Sequence, residues 1–175
     1  EKGDKWQQAL LLFSEMRRRW LTPTVITCNA AISACGNGEQ MDRALELLLC
    51  MQQQRLLPNV ITYSAAISAC EKGTQPDRAL ELFDGMQAQQ LLPNVITYGA
   101  AISACSKGRK QPERALELLQ AMRKDMLTPD VVSYNAAISA CKMRLDQALK
   151  LFRSMQHQGL APDRITYIAI IGACE

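Results

Sequence analysis

Apolar and polar positions follow a helical spacing through almost the whole chain, and the same pattern returns five times. Between Asp77 and Met86, the apolar residues Ala79, Leu82, Phe83 and Met86 recur at i, i+3, i+4 and i+7, the stripe of an amphipathic helix. In the stretch opening at Val60, the residues Val60, Tyr63, Ile67 and Cys70 share one face at similar spacing. A strand could be read for residues 60–63 alone, but the Ala-Ala pair that follows and the 11-residue span favour a helix. The first stretch is written as VITCNAAISAC, VITYSAAISAC, VITYGAAISAC, VVSYNAAISAC and RITYIAIIGAC, at successive offsets of 35, 35, 36 and 33 residues. The second keeps step as QQALLLFSEM, DRALELLLCM, DRALELFDGM, ERALELLQAM and DQALKLFRSM, and LTPT, LLPN, LLPN, LTPD and LAPD close the units. Self-similarity at such a period marks a repeat array.

Length differences between units locate the turns. The distance from the second stretch to the next first stretch is always 18 residues, whereas the reverse distance is 17, 17, 18 and 15. Every insertion or deletion therefore falls in GNGEQM, EKGTQP, SKGRKQP or KMRL, and loops tolerate length change where packed helices do not. Each unit is predicted to be a helical hairpin with an elastic turn. Pro76 and Pro112 suit the first turn of the second helix, and Thr74 with Asp77 resembles a capping box there. The closing Pro ends the second helix, and the Asn, Asp or Thr after it is the expected N-cap of the next first helix. KMRL, two residues shorter than EKGTQP, predicts a tighter joint that shifts Asn135 against its counterparts.

The fold class expected is an all-α solenoid of stacked helix–turn–helix hairpins. Its units are 1–24 (a second helix), 25–59, 60–94, 95–130, 131–163 and 164–175 (a first helix). Both ends fall inside a repeat, so the chain reads as a window of a longer array. Such short hairpins depend on their neighbours for burial. Apolar faces are expected near Leu10, Leu11 and Phe13 and near Ile170 and Ile171, through which copies could self-associate.

Composition agrees with a stack of this kind: 48% hydrophobic residues with only 5% aromatic. No apolar run reaches the 18 or more residues of a membrane span, and no small-molecule site or cofactor is indicated. The net charge of +3 is compatible with nucleic acid without pointing to it. Of seven cysteines, Cys35, Cys70, Cys105, Cys141 and Cys174 hold one repeat position, with no CxxC pair and a single His157, so no metal constellation exists. They read as small buried thiols of a reducing compartment, and Cys28 replaces a Tyr. Glu46, Glu81 and Glu117 lie three residues after Arg43, Arg78 and Arg114, the spacing of exposed helix pairs. No nucleophile–base pair or phosphate loop appears, and no enzymatic activity is expected of this segment.

A polar stripe on the first helix stands out. Read at i, i+4, i+8 it gives Asn29, Ser33, Asn37; Ser64, Ser68, Lys72; Gly99, Ser103, Lys107; and Asn135, Ser139, Met143 with Lys142 adjacent. A solvated face would account for one such helix. Retention of Ser33, Ser68, Ser103 and Ser139 beside a varying neighbour favours a track with a constant and a variable position over a merely solvated face.

The period, the V-I-T-Y-x opening, the central R-A-L-E-L and the closing P-N or P-D resemble the pentatricopeptide repeat family of RNA-binding solenoids, over essentially the whole chain. The resemblance implies a right-handed superhelix whose first helices line a groove for single-stranded RNA, each repeat reading about one base. It implies base reading by the residue after T-Y together with the residue after the closing Pro. Asn29 with Asn59 then reads pyrimidines, C over U; Ser64 with Asn94 adenine; and Asn135 with Asp163 uracil. Gly99 with Asp130 departs from the pattern, with any preference toward G, and Ile168 is non-coding. The resemblance further implies base packing by Ile26, Ile61, Ile96, Val132 and Ile165, and phosphate contacts from Lys72 and Lys107. Asn59, Asn94, Asp130 and Asp163 would equally be favoured as plain N-caps. Family members work in organelle RNA processing, stability, editing or translation, so a mitochondrion or chloroplast is expected. The alternative is a helical scaffold that binds a peptide in the same groove.

Overall fold

Each of the repeated stripes becomes a helix in the computed structural model, which describes residues 4–107 and 111–174. Ten α-helices and no strand occur among the described residues. The chain divides into two units, 1–93 and 94–175.

In the first unit, the first-stretch helices α2 (Val25–Asn37) and α4 (Val60–Lys72) lie against one another. The second-stretch helix α3 (Met41–Gln53) packs on both, while α1 (Asp4–Arg18) packs on α2 and α5 (Pro76–Ala88) on α4. The second unit repeats the scheme. Its first helices α6 (Val95–Ser106) and α8 (Val131–Ala140) are in contact, as are α8 and α10 (Arg164–Ile171). Helix α7 (Pro112–Lys124) packs on α6 and α8, and α9 (Leu145–His157) on α8 and α10. Within each unit, a helix of the second stretch thus wedges between successive helices of the first.

The core is built from the same places in each repeat. Ile32, Ile67, Ile102 and Ile138 on the first helices are fully buried, as are Met86, Met122 and Met155 on the second. Burying a side chain of that size contributes about 1.5–3 kcal/mol, and the unbranched Met fills the uneven gap between two facing helices. In the first unit Leu10 and Phe13 pack onto the core cluster, while Leu11 stays exposed. Toward the other end Ile171 is exposed and Ile170 half-buried.

Cys35, Cys70, Cys105 and Cys141 are buried, as their repeat position predicts, and so is Cys28 in the tyrosine place, but Cys174 is exposed. Burial pushes the Cys70 and Cys105 thiols up to about 11, the range of an unreactive core thiol. Among the described residues no cluster of His, Cys, Asp or Glu could hold a metal. No helix among the described residues is long and apolar enough to cross a membrane.

The turns between paired helices differ in length but close on one anchor. Gln40 N–H donates to the carbonyl of Cys35, Gln75 to Cys70, Gln111 to Cys105 and Arg144 to Cys141, all at 2.8–3.0 Å. The KMRL joint is tighter, as expected: α8 stops at Ala140, whereas α2 and α4 are three residues longer. Gly108, Arg109 and Lys110 of the longest turn lie outside the described residues.

Two expectations are corrected. Thr74 does not cap α5: it sits at φ 54°, and the N-cap is Gln75, whose side chain makes no cap bond. The turn must double back to the Cys70 carbonyl, and that geometry outweighs the local T-x-x-D pattern. Arg43 and Arg114 pair with Glu46 and Glu117 on their own helices at 2.7 and 3.2 Å. Arg78 instead reaches Asp42 of the preceding hairpin at 3.4 Å, and Arg144 likewise bonds Glu113. These exposed pairs contribute little stability but join neighbouring hairpins.

Candidate nucleic-acid interface

Every first helix is N-capped by the residue that follows the closing Pro. Thr24, Asn59, Asn94, Asp130 and Asp163 have extended backbones, and each accepts from the backbone N–H three residues on. That third residue is Thr in all but α8, and in α2, α4, α6 and α10 its hydroxyl accepts in return from the N-cap N–H, a reciprocal box. The cap leaves one end of each Asn or Asp side chain uncommitted to the helix terminus. In Asn59 the oxygen takes the cap bond, so the amide nitrogen is left as a donor. In Asp163 the oxygen Oδ1 takes it, leaving Oδ2 as an acceptor.

Two of the expected reading pairs meet. Asn29 Nδ2 donates to Asn59 Oδ1 at 3.3 Å, and Asn135 Nδ2 to Asp163 Oδ1 at 3.0 Å. Each joins the first helix of a repeat to that repeat's last residue, which also caps the first helix of the next. Asn29, Ser64 and Asn135 are each buried, at 7% exposure. Asn135 makes the same bonds as Asn29 despite the shortened turn that follows it.

Asp163 is held below its ordinary carboxylate range, first by the Thr166 backbone N–H and then by the Thr166 hydroxyl. It is an anion at neutral pH and can only accept. Gly99 offers no side chain, and Ser133 bonds Asp130 Oδ1 from both N–H and hydroxyl at 2.8 Å. Ser64 and Asn94 fall in different units; within its own, Asn94 Oδ1 accepts from Thr97 N–H at 2.9 Å.

Beside these polar edges stand exposed branched side chains. Ile26 is 80% exposed, and Ile61, Ile96, Val132 and Ile165 are 60–66% exposed, all one residue into their helices. Burying none of them in the protein core leaves an apolar platform at the helix starts, the chemistry on which a base can stack. At the other end of α4, Lys72 Nζ donates to Asn37 Oδ1 of α2 at 2.8 Å, so the stripes of adjacent first helices do run side by side. Lys107 is the extended C-cap of α6, half-buried. Lys142 lies against Gly172: a Cβ added there would be 3.6 Å from its Cε.

Sequence reasoning passed over the threonine three residues after each cap. Its signal was present, since the N-cap of every first helix is followed at +3 by Thr or Ser.

Comparison with known proteins agrees with this arrangement. The family model for the pentatricopeptide repeat domain matches residues 11–73, 81–144 and 142–175, and a single-repeat model of the same family matches residues 61–91. No curated protein matches. Among solved structures, the pentatricopeptide repeat protein PPR10 in complex with an 18-nt psaJ RNA element is similar with a TM-score of 0.75 at 21% identity over 92% of this chain. The chain spans only 24% of PPR10. The PPR domain of Arabidopsis thaliana protein-only RNase P 1 in complex with tRNA gives 0.80 at 20% identity, over 99% of this chain and 91% of that one. Arabidopsis nuclear proteinaceous RNase P 2 gives 0.73 at 14% identity, over 85% of this chain and 34% of that one. With the family model matching nearly the whole length, the capped hairpins and the repeated stripes have one common explanation: this chain belongs to the pentatricopeptide repeat family.

Proposed function

We propose that this chain binds single-stranded RNA with base selectivity, one base to a hairpin, in support of organelle RNA processing, stability, editing or translation. The observation that carries the reading is the pairing of Asn29 with Asn59 and of Asn135 with Asp163, each within one repeat and beside an exposed branched residue. Asn59 has an amide nitrogen to donate, which suits the acceptor edge of cytosine. Asp163 has an oxygen to accept, which suits the N–H of uracil. Supporting it, both PPR10 and protein-only RNase P 1 are named in complex with RNA. The partner is RNA, the readers are the pairs above, and Lys72 and Lys107 approach phosphate. No chemistry is assigned to this segment.

The test is binding to RNAs that differ at one base, comparing the chain with Asn59→Asp. Asn and Asp cap helices about equally well, so the melting temperature should hold. Preference at that base should move from C toward U by about 1–3 kcal/mol, the cost of leaving a closed polar contact unmatched. An unchanged preference in a folded variant would reduce Asn59 to a helix cap and favour a peptide-binding scaffold.

A further inference from the structure

We infer that Thr62 and Thr166 are positioning residues for base selection: each fixes which end of the neighbouring reading amide faces the ligand, so the reader is a trio rather than a pair. The inference rests on the RNA-reading proposal above.

In the first unit the donors are decided by the backbone. Asn59 N–H points at Thr62 Oγ1 at 3.0 Å, and Thr62 N–H points at Asn59 Oδ1 at 3.1 Å. The atom of Asn59 facing Thr62 is therefore its oxygen. The single hydroxyl proton of Thr62 has two acceptors in reach, Asn29 Oδ1 at 2.6 Å and Asn59 Oδ1 at 3.1 Å, and the shorter contact takes it. Asn29 then turns its nitrogen to Asn59 Oδ1 at 3.3 Å. Flipping the Asn29 amide would set oxygen against oxygen at that contact and leave the hydroxyl proton without its nearest acceptor. Thr62 is fully buried, so water does not compete for these bonds.

The second unit builds the same circuit independently. Thr166 Oγ1 donates to Asn135 Oδ1 at 2.6 Å, Asn135 Nδ2 donates to Asp163 Oδ1 at 3.0 Å, and Asp163 Oδ1 accepts from Thr166 N–H at 2.8 Å. Thr166 is likewise fully buried. Where the reading position is Gly99, the third residue is Ser133, and its hydroxyl is bound to Asp130 Oδ1 at 2.8 Å. A Cβ on Gly99 would lie 3.9 Å from that hydroxyl, so the node is in place there with no amide to orient. The Thr hydroxyl is more than a capping group: in both complete circuits its shortest bond goes to the reading Asn, not to the cap.

The experiment compares the intact chain with Thr62→Val and Thr62→Ser on RNAs varied at the base opposite residues 25–59. The parent should discriminate roughly tenfold between its best and worst base. Thr62→Ser keeps the hydroxyl and should keep that ratio; Thr62→Val should bring it to within about twofold while affinity still falls with salt as in the parent. In the RNA-free protein, solvent exchange of the Asn29 side-chain amide should be slow in the parent and in Thr62→Ser and faster in Thr62→Val. If Thr62→Val does not fold, Thr166→Val read at the base of residues 131–163 decides the same question. A valine variant that retains its base ratio, or an Asn29 amide equally protected without the hydroxyl, overturns the inference alone. A parent that binds RNA with no base ratio at all overturns the readout itself.

Discussion

The Tyr98 hydroxyl donates to Asp125 Oδ2 at 2.6 Å, tying the first helix of its hairpin to the residue that ends the second. Other tyrosines at this place find other partners: Tyr63 accepts from Gln89 at 2.8 Å, and Tyr134 meets Ser154 at 3.1 Å and Arg123. Tyr98→Phe should lower stability by about 1 kcal/mol, the typical net value of one such bond. Burial first, and then the Asp125 carboxylate, hold the Tyr98 phenol well above its ordinary range. A raised folded pKa means the contribution is complete below the ordinary tyrosine range, near 10, and is lost as pH climbs beyond it. Urea melts at neutral and at strongly alkaline pH should therefore show the parent losing more stability than Tyr98→Phe.

Cys28 occupies the tyrosine place in its hairpin and is buried at 3% exposure, with Cys50 where the next repeat has Gly85. The cap residue Gln54, counterpart of Gln89, turns to Cys50 Sγ at 3.3 Å because no hydroxyl is present. Cys28→Tyr combined with Cys50→Gly copies the following hairpin. We expect a gain of about 1–2 kcal/mol from the larger buried ring and the restored bond to Gln54. A calorimetric melting temperature at or below the parent's would show that the two hairpins are not interchangeable there.

The closing turns carry avoidable strain. Arg55 and Gln90 stand at φ 58° and 59°, while Gly159 holds the same place at φ 75°. Left-handed backbone costs an L-residue with a side chain about 1 kcal/mol, and glycine escapes the penalty. Arg55→Gly and Gln90→Gly should each be stabilising by about 0.5–1 kcal/mol, and Gly159→Ala destabilising by about 1 kcal/mol, in denaturant melts. No atom would crowd the Cβ added at Gly159, so the last effect isolates the backbone term.

Lys72 is oriented by Asn37, and removing either tests a different role. Lys72→Ala should weaken binding to all RNAs alike and reduce the slope of log affinity against log salt by about 0.7, the single-strand value for one phosphate. Asn37→Ala keeps the charge and should keep the slope. Fluorescence anisotropy over a salt series distinguishes the two.

The helical hairpins, the elastic turns and the N-caps were legible in the sequence because period, Pro and cap residue repeat in phase. The exposure of Ile26, Ile61, Ile96, Val132 and Ile165 was legible only through the family resemblance, since a branched residue at the start of an apolar helix carries no signal of its own. Thr74 misled because a capping pattern is local, whereas the turn answers to a carbonyl four residues back. The tyrosine hydroxyls could not be paired in advance: Gln89, Asp125 and Ser154 differ in type and in distance along the chain. The Thr62 circuit was hidden for another reason: Thr62 and Asn29 lie far apart along the chain, so no local pattern pairs them.

The cysteine carbonyl that receives every inner turn gives the array a form of modularity. A joint of three, five or six residues reaches the same acceptor, so length can change there while the closing bond is kept. Whole hairpins can then be duplicated, lost or interrupted by inserted segments at that joint while adjacent readers keep their registration. Under the proposed one-base-per-hairpin reading, each such event would lengthen, shorten or edit the recognised word by whole letters, never by fractions of one.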